Sequence, residues 1–276
     1  MLKVSFVAIL VSLVIWVGDP ALAVKVESVG VASIYGQPDP SAIAPGAGAM
    51  TSRPDGLGYW IATTEGVVVE FGQAQHYGDM KGTALNKPIV GMVATSTGRG
   101  YWLVASDGGI FSFGDATFYG STGALTLNSP IVGMTATHTG AGYWLVAADG
   151  GVFSYGDATF YGSTGAIKLN RPIVAMLSTK TSQGYWLLAD DGGIFTFGDA
   201  HFHGSGPGRG FSESFAGLIP TLDGSGYALV HTNGTVTPFG ASSLSGASAC
   251  DPWPVTDMSI AGEGAVVLRT PDVVPH

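Results

Sequence analysis

The sequence predicts an all-β fold, a six-bladed β-propeller with four antiparallel strands per blade. The first observation is a repeat: residues 100–120 read GYWLVASDGGIFSFGDATFYG, and residues 142–162 repeat them almost unchanged. Weaker copies begin at Gly58, Gly184 and Gly226, so five starts share a spacing of 42 residues. A fixed period of this size with strand-like units is typical of a repeat architecture. The second observation is composition, because 43 glycines and only 11% charged residues suit many short buried strands joined by tight turns.

The N-terminal segment has the features of a secretory signal. Lys3 provides a short positive region, residues 4–17 are apolar, and Ala21-Leu22-Ala23 is a small-residue cleavage site. The apolar run is short for a membrane span. We therefore expect residues 1–23 to be a signal peptide, cleaved or retained as an anchor. Residues 24–276 are expected to form one propeller domain, secreted, extracellular or associated with the cell wall, and not membrane-spanning after cleavage.

Charge and cysteine content exclude some classes of protein. The net charge is −9 and the eleven Lys and Arg residues are spread thinly, so the chain has no basic footprint for nucleic acid. Cys250 is the only cysteine, so an intramolecular disulfide is excluded and stability must come from packing. We expect a monomer without a cofactor.

Each unit contains the signals of four short strands. The strands are apolar on both faces rather than alternating, which predicts sheets that are covered on both sides, as in blades stacked around an axis. Asp107-Gly108 predicts a two-residue hairpin turn of type I′. In this unit the predicted strands lie at residues 89–95, 101–106, 109–113 and 117–119.

The tryptophan of each unit is interpreted first as core, because it is the largest packing element. Stacking on an aromatic ligand is the alternative. The four residues are Trp60, Trp102, Trp144 and Trp186.

The sixth blade is predicted to be split between the chain ends. Tyr35-Gly36 lie two periods before Tyr119-Gly120, and residues 255–258 echo residues 89–92. The C-terminal part supplies two strands and the N-terminal part the other two, so their pairing would close the ring and leave no exposed sheet edge. The predicted blades lie near residues 47–78, 89–120, 131–162, 173–204, 215–246, and 255–270 together with 25–36.

The motif GYWLVASDGGIFSFGDATFYG resembles a repeat of exported proteins in high-GC Gram-positive bacteria, where it stands alone or is joined to hydrolase domains. It is more loosely similar to tectonin, kelch and WD40-type propellers. The resemblance covers about residues 26–268 and implies a β-propeller, but it implies no single activity. Two blades depart from the pattern: the fifth has Ala228 in place of the Trp, and the sixth lacks both aromatic residues.

Enzyme signatures are absent from the sequence: there is no Gly-x-Ser-x-Gly elbow, no HExxH motif and no calcium loop. His201 and His203 lie at i, i+2 on a predicted outer strand and are weak candidates for zinc ligands, with packing as the simpler interpretation. Equivalent turn residues form a second candidate, a ring that could attract a cation, although the turn itself favours Asp and Asn. They are Glu65, Asp107, Asp149, Asp191 and Asn233.

The links between blades diverge unequally, which makes the unusual ones candidate binding loops. The links at 121–130 and 163–172 are near copies, whereas those at 205–214, 247–254 and 37–46 are not. Drift in degenerate blades is the alternative explanation. The candidate ligand-binding residues in these links are Arg209, Glu213, Asp251, Trp253 and Asp39.

The function predicted from these features is a secreted, non-catalytic propeller that binds a partner at the cell envelope, either a protein or a polysaccharide. A lectin-like propeller is the first alternative. An extracellular hydrolase or lactonase is the second, and it needs carboxylates or His on the innermost strands. Those strands read as apolar and small, as in Ile89-Val90-Gly91-Met92, which counts against an enzyme.

Overall fold

The structure is a computed structural model of the chain. The signal peptide prediction and the candidates Asp39, Asp251 and Trp253 lie outside the residues that it describes. The described residues are 25–29, 34–36, 46–211, 213–221, 225–240, 255–261 and 264–269.

The described chain is built from β-strands, and the all-β prediction is confirmed. Its helical content is one 3₁₀ turn, Pro207–Arg209. No helix in the described part of the chain is long and apolar enough to cross a membrane. The strands are Lys25–Val29 (β1), Ala47–Ser52 (β2), Gly58–Thr63 (β3), Val68–Gly72 (β4), Ile89–Ala94 (β5), Gly100–Ala105 (β6), Ile110–Gly114 (β7), Ile131–Ala136 (β8), Gly142–Ala147 (β9), Val152–Gly156 (β10), Ile173–Ser178 (β11), Gly184–Ala189 (β12), Ile194–Gly198 (β13), Phe215–Pro220 (β14), Gly226–His231 (β15), Val236–Gly240 (β16), Val255–Ala261 (β17) and Gly264–Arg269 (β18).

The described strands pair into antiparallel sheets of three. Sheets 1 to 5 each contain three consecutive strands, from β2–β4 in sheet 1 to β14–β16 in sheet 5. The first strands contact one another in the order β2, β5, β8, β11, β14 and β17, and β17 contacts β2, so the sheets follow one another in a ring. Sheet 6 combines β17 and β18 with β1, which runs antiparallel to β18 from Lys25 opposite Arg269 to Val29 opposite Ala265. The two ends of the chain therefore share one sheet, as the sequence predicted.

The second strand of each of sheets 1 to 5 forms the centre of the core. All six residues of Gly100–Ala105 are buried, as are those of its counterparts β3, β9, β12 and β15. Trp60, Trp102, Trp144 and Trp186 are at most 5% exposed. The interpretation of the tryptophans as core is therefore confirmed.

In the described units the predicted fourth strand is not found, and the reason lies in its hydrogen bonds. Residues 117–120 form no strand of the sheet that precedes them. Their backbone groups bond to side chains instead: Trp102 Nε1 donates to the carbonyl of Thr117 at 2.8 Å, and the Tyr119 N–H donates to the hydroxyl of Tyr143 at 3.1 Å. A segment whose backbone is bonded in this way does not form a ladder. We call residues 117–120 and their equivalents the outer segments.

The predicted type I′ turn is also wrong. Among the described residues Ser182 is the only non-glycine residue with positive φ, so Asp107 does not adopt the conformation that a type I′ turn requires. Gly108 alone is left-handed, with φ +79°. Its N–H donates to the Ala105 carbonyl at 2.7 Å, and the Ala105 N–H donates to the Gly109 carbonyl at 2.9 Å. This is the three-residue loop in which a type I turn is followed by a left-handed glycine.

Neighbouring sheets are joined by a repeated hydrogen bond from a tyrosine hydroxyl, which we call the tyrosine bond. The hydroxyl of Tyr143 in sheet 3 donates to the carbonyl of Gly120 at 2.6 Å, in the outer segment that follows sheet 2. It also accepts from the N–H groups of Tyr119 and Gly120, each at 3.1 Å. Burial raises the pKa of these phenols, to about 12 in Tyr101. The donors are Tyr59, Tyr101, Tyr143, Tyr185 and Tyr227, and the acceptors are Gly36, Gly78, Gly120, Gly162 and Gly204.

Candidate functional site

A cavity of about 390 Å³ lies along the axis of the ring, between the first strands of sheets 1 to 5. Its polar lining consists of hydroxyls such as those of Thr51, Thr95 and Thr135, together with His138. His138 is the single titratable side chain among the described lining residues. Acid–base catalysis needs at least one positioned titratable group and generally a partner for it. The described walls of the cavity supply no such pair.

Four of the five candidate turn residues accept a hydrogen bond from the backbone of their own turns. Asp107 Oδ1 accepts from the Gly109 N–H at 2.9 Å, and Asp149 and Asp191 make the same bond in their units. Asn233 Oδ1 accepts from the Thr235 N–H in sheet 5. The turn therefore accounts for these four side chains, whereas Glu65 is exposed and makes no such bond in the described structure. Among the residues that the structure describes, no three His, Cys, Asp or Glu side chains are grouped so that they could hold a metal ion.

Of the two histidines proposed as weak zinc candidates, His203 packs into the scaffold, whereas the side chain of His201 is exposed. His201 accepts the indole N–H of Trp186 on its carbonyl at 2.9 Å. The ring of His203 packs edge-on against Tyr227 with 5.4 Å between centroids, and the backbone N–H of His203 donates to the Tyr227 hydroxyl at 3.2 Å. His203 thus fills the position that Tyr119 and Tyr161 fill in other units.

The divergent link between sheets 4 and 5, residues 205–214, is the candidate binding loop whose residues are almost all described. The 3₁₀ turn Pro207–Arg209 ends at Gly210, which is left-handed with φ 75°. This turn places the exposed Arg209 guanidinium 4.1 Å from the centre of the Phe239 ring, a cation–π contact. Glu213 is also exposed.

The link packs onto a buried histidine. His231 is 2% exposed, its ring lies 4.1 Å from that of Phe215 and 5.2 Å from that of Phe211, and its Nε2 is 2.8 Å from the Thr237 hydroxyl. Its Nδ1 lies 3.5 Å from Glu213 Oε2. Burial lowers the pKa of His231, and the Glu213 carboxylate partly opposes that shift. The link thus rests on a buried imidazole and presents one cation and one carboxylate.

Sequence reasoning found Arg209 and Glu213 but missed His231. The signal was present in the repeat: the last residue of the second strand is Ala105, Ala147 or Ala189 in sheets 2 to 4, but His231 in sheet 5. The second residue of the third strand changes in the opposite sense, from a phenylalanine such as Phe111 to Thr237. The alanine–phenylalanine pair of sheets 2 to 4 is therefore replaced in sheet 5 by the histidine–threonine pair, in which the larger side chain lies on the second strand and both side chains are polar. Position-by-position comparison of units would have shown this exchange.

Sequence reasoning also missed an exposed feature, the phenylalanine at the second position of three outer segments. Phe118, Phe160 and Phe202 are 56%, 55% and 58% exposed. We call them the rim phenylalanines. In the first unit this position is His76, whose Nδ1 lies 3.5 Å from Glu70 Oε2 and whose Nε2 lies 3.9 Å from Asp79 Oδ2.

Comparisons with known proteins yield similarity to solved structures alone. No protein-family model matches the chain, and no curated protein sequence matches it. One similar structure is the C-terminal WD40 domain of Sif2, at 13% identity and a TM-score of 0.45, covering 82% of this chain and 70% of that one. Another is the β-propeller domain of Myceliophteria thermophila Cps50 (Swd1), at 8% identity and a TM-score of 0.49, covering 82% of each chain. Neither similarity carries a function to this chain.

Proposed function

We propose that the chain is a secreted six-bladed β-propeller that acts as a non-catalytic interaction module at the cell envelope. Each three-stranded sheet, with the outer segment that follows it in sheets 1 to 4, would form one blade within a single domain of residues 24–276. The first 23 residues support export, and the motif GYWLVASDGGIFSFGDATFYG supports membership of a bacterial secreted repeat family. The proposed molecule is a monomer.

The observation that carries the proposal is that the repeated residues are used in structural hydrogen bonds, whereas the divergent residues of one link are exposed. Repeated Trp, Tyr and Asp side chains are used in bonds within and between units, as Trp102, Tyr143 and Asp107 illustrate. The link at 205–214 instead leaves Arg209 and Glu213 exposed above a packed aromatic base. Arginine and aromatic residues are enriched at the energetic centres of protein interfaces. We therefore propose a protein partner that binds at this link.

Three further residues are proposed as contacts of the same partner. Asp251 and Trp253 belong to the divergent link after sheet 5, and Asp39 to the one before sheet 1. Trp253 lies between two prolines and suits an aromatic anchor. Val255, two residues after it, donates its N–H to the Thr232 carbonyl, beside His231.

The non-catalytic assignment is supported by the axial cavity, whose described lining joins small and apolar residues with hydroxyls and one imidazole. A hydrolase at the axis would require paired acid and base groups there. Assay of the purified protein against ester and lactone substrates, with and without divalent metals, tests this point. Turnover abolished by His138→Ala would replace the binding proposal with an enzyme at the axis.

The link proposal is tested by capture of a partner from envelope extracts, followed by titration with that partner in purified form. We expect the Arg209→Ala, Glu213→Ala double variant to bind at least about tenfold more weakly, since central Arg contacts cost about 2 kcal/mol or more when truncated. The control is Lys168→Ala with Arg171→Ala, two exposed charges in the near-copy link at 163–172. Equal loss in both double variants, or none in the first, would contradict a site at 205–214.

A polysaccharide ligand is the second candidate function. The specific observation that favours it is the set of rim phenylalanines, which lie outside the links.

A further inference from the structure

The rim phenylalanines recur at one position of three consecutive units yet contribute little to the core. More than half of the surface of each of these residues is exposed. In the described chain none of the three rings packs against another aromatic ring, whereas the neighbouring Tyr119 and Tyr161 do. Packing therefore explains the rest of the outer segment but not the phenylalanine.

The backbone on both sides of each ring is held by buried side chains. Before Phe118, the Thr117 carbonyl accepts from Trp102 at 2.8 Å; after it, the Tyr119 N–H donates to Tyr143 at 3.1 Å. The same pair of bonds brackets Phe160 and Phe202, with lengths of 2.8 to 3.2 Å. An exposed ring on a fixed backbone loses little conformational entropy when it binds, which is the arrangement that favours recognition.

The spacing of the rings and the charge of the chain restrict the ligand. One ring per unit, 42 residues apart in the sequence and without an aromatic neighbour in the described structure, gives three equivalent isolated rings. Equivalent isolated positions suit a ligand that is itself a repeat of like groups. With a net charge of −9, the chain repels anionic polymers and anionic lipid surfaces.

We propose that Phe118, Phe160 and Phe202 are three equivalent binding sites for a neutral polysaccharide. Each ring would stack on the apolar face of one sugar, whose C–H groups meet the negative face of the aromatic ring. Three weak sites on one rigid scaffold bind an insoluble polymer more tightly than one site does, because the second and third contacts are intramolecular. The proposal does not depend on the link at 205–214.

The test is co-sedimentation with three insoluble neutral polysaccharides: cellulose, chitin and starch granules. We expect binding to at least one, a loss of about three- to tenfold in each single Phe→Ala variant, and a loss of about thirtyfold or more in the triple variant. Replacement of each ring by Tyr should preserve binding. The expected stability change is small because the side chains are exposed, and thermal melting checks that the variants fold.

The matched control is the double variant Leu125→Ala, Ile167→Ala, which removes two apolar side chains that are each 58% exposed but lie on the links. It should bind like the wild type. The proposal is overturned by equal sedimentation of the triple variant and the wild type, by an equal loss in the control, or by the absence of binding to any of the three polysaccharides. Binding to anionic phosphatidylglycerol vesicles that the triple variant loses would assign the rings to a membrane surface instead. The rim variants and the link variant change different residues. A negative result with the polysaccharides therefore leaves the result for the Arg209→Ala, Glu213→Ala variant unaffected.

Discussion

Replacing Tyr143 by Phe tests whether the tyrosine bonds hold the sheets together. The change keeps the buried ring and removes one oxygen, which donates to the Gly120 carbonyl and accepts from two N–H groups of the adjoining outer segment. Three backbone groups at a buried junction then lose a partner. A buried polar group without a partner costs about 1–3 kcal/mol, and partial relaxation reduces the sum, so we expect a loss of about 3–5 kcal/mol in the free energy of unfolding.

Urea unfolding followed by tryptophan fluorescence measures this loss as a shift of the midpoint with an unchanged slope. The control is Tyr155→Phe, the same chemical change 12 residues away in the same sheet. Tyr155 occupies the position of Phe113 and Phe197, and its hydroxyl makes no hydrogen bond in the described structure, so its removal should cost less than about 0.5 kcal/mol. If Tyr143→Phe is no more destabilising than Tyr155→Phe, the tyrosine bonds do not fasten the sheets.

Three further predictions concern a turn, a buried histidine and the shared sheet. Gly108→Ala should cost about 2–4 kcal/mol in denaturant unfolding, because φ is +79° and a Cβ would lie 1.7 Å from Thr122 Oγ1; Gly82→Ala, with φ +78° and open space around it, should cost about 1 kcal/mol. The pKa of His231 is lowered in the folded state, so below pH 6.5 the unfolded state binds more protons than the folded state does. The free energy of unfolding should therefore decrease as the pH is lowered below 6.5, by at most about 1.4 kcal/mol per pH unit, whereas above pH 6.5 this contribution is constant. An identical pH profile in His231→Phe would contradict the assignment. Deletion of residues 24–36 removes β1 and the acceptor of the Tyr59 bond, so the protein should aggregate on size-exclusion chromatography, and a monomer with unchanged melting would argue against ring closure.

The sequence predicted the strands well because their periodicity is repeated. The strand predicted at 101–106 is observed at Gly100–Ala105, and the predicted sharing of a sheet by the chain ends is observed in the pairing of β1 with β18. Both predictions rest on apolar residues that recur every 42 positions, and recurrence reduces the ambiguity of a single short apolar run.

The errors occurred where local sequence does not determine the hydrogen-bond partner. The outer segment 117–120 has strand-like residues, but its partners are the indole of Trp102 and the phenol of Tyr143, which are distant in sequence. His231 was missed because it belongs to no catalytic or metal-binding motif, and its difference from the other units appears only beside Ala105, Ala147 and Ala189 at the equivalent position.

The tyrosine bond has a consequence for how such a chain grows by duplication. Its donor and acceptor lie on one unit but face opposite neighbours: Tyr143 bonds back to Gly120, and Gly162 of the same unit receives Tyr185. A tandem copy of the unit therefore arrives with both halves of the joint and fits next to its parent without a compensating mutation. The near identity of residues 100–120 and 142–162 is what such a copying event leaves behind. The second residue of β18 is Ala265, whereas β3, β6, β9, β12 and β15 carry the donor tyrosine at that position. The series of tyrosine hydrogen bonds is therefore interrupted in the sheet that the N-terminal strand β1 completes.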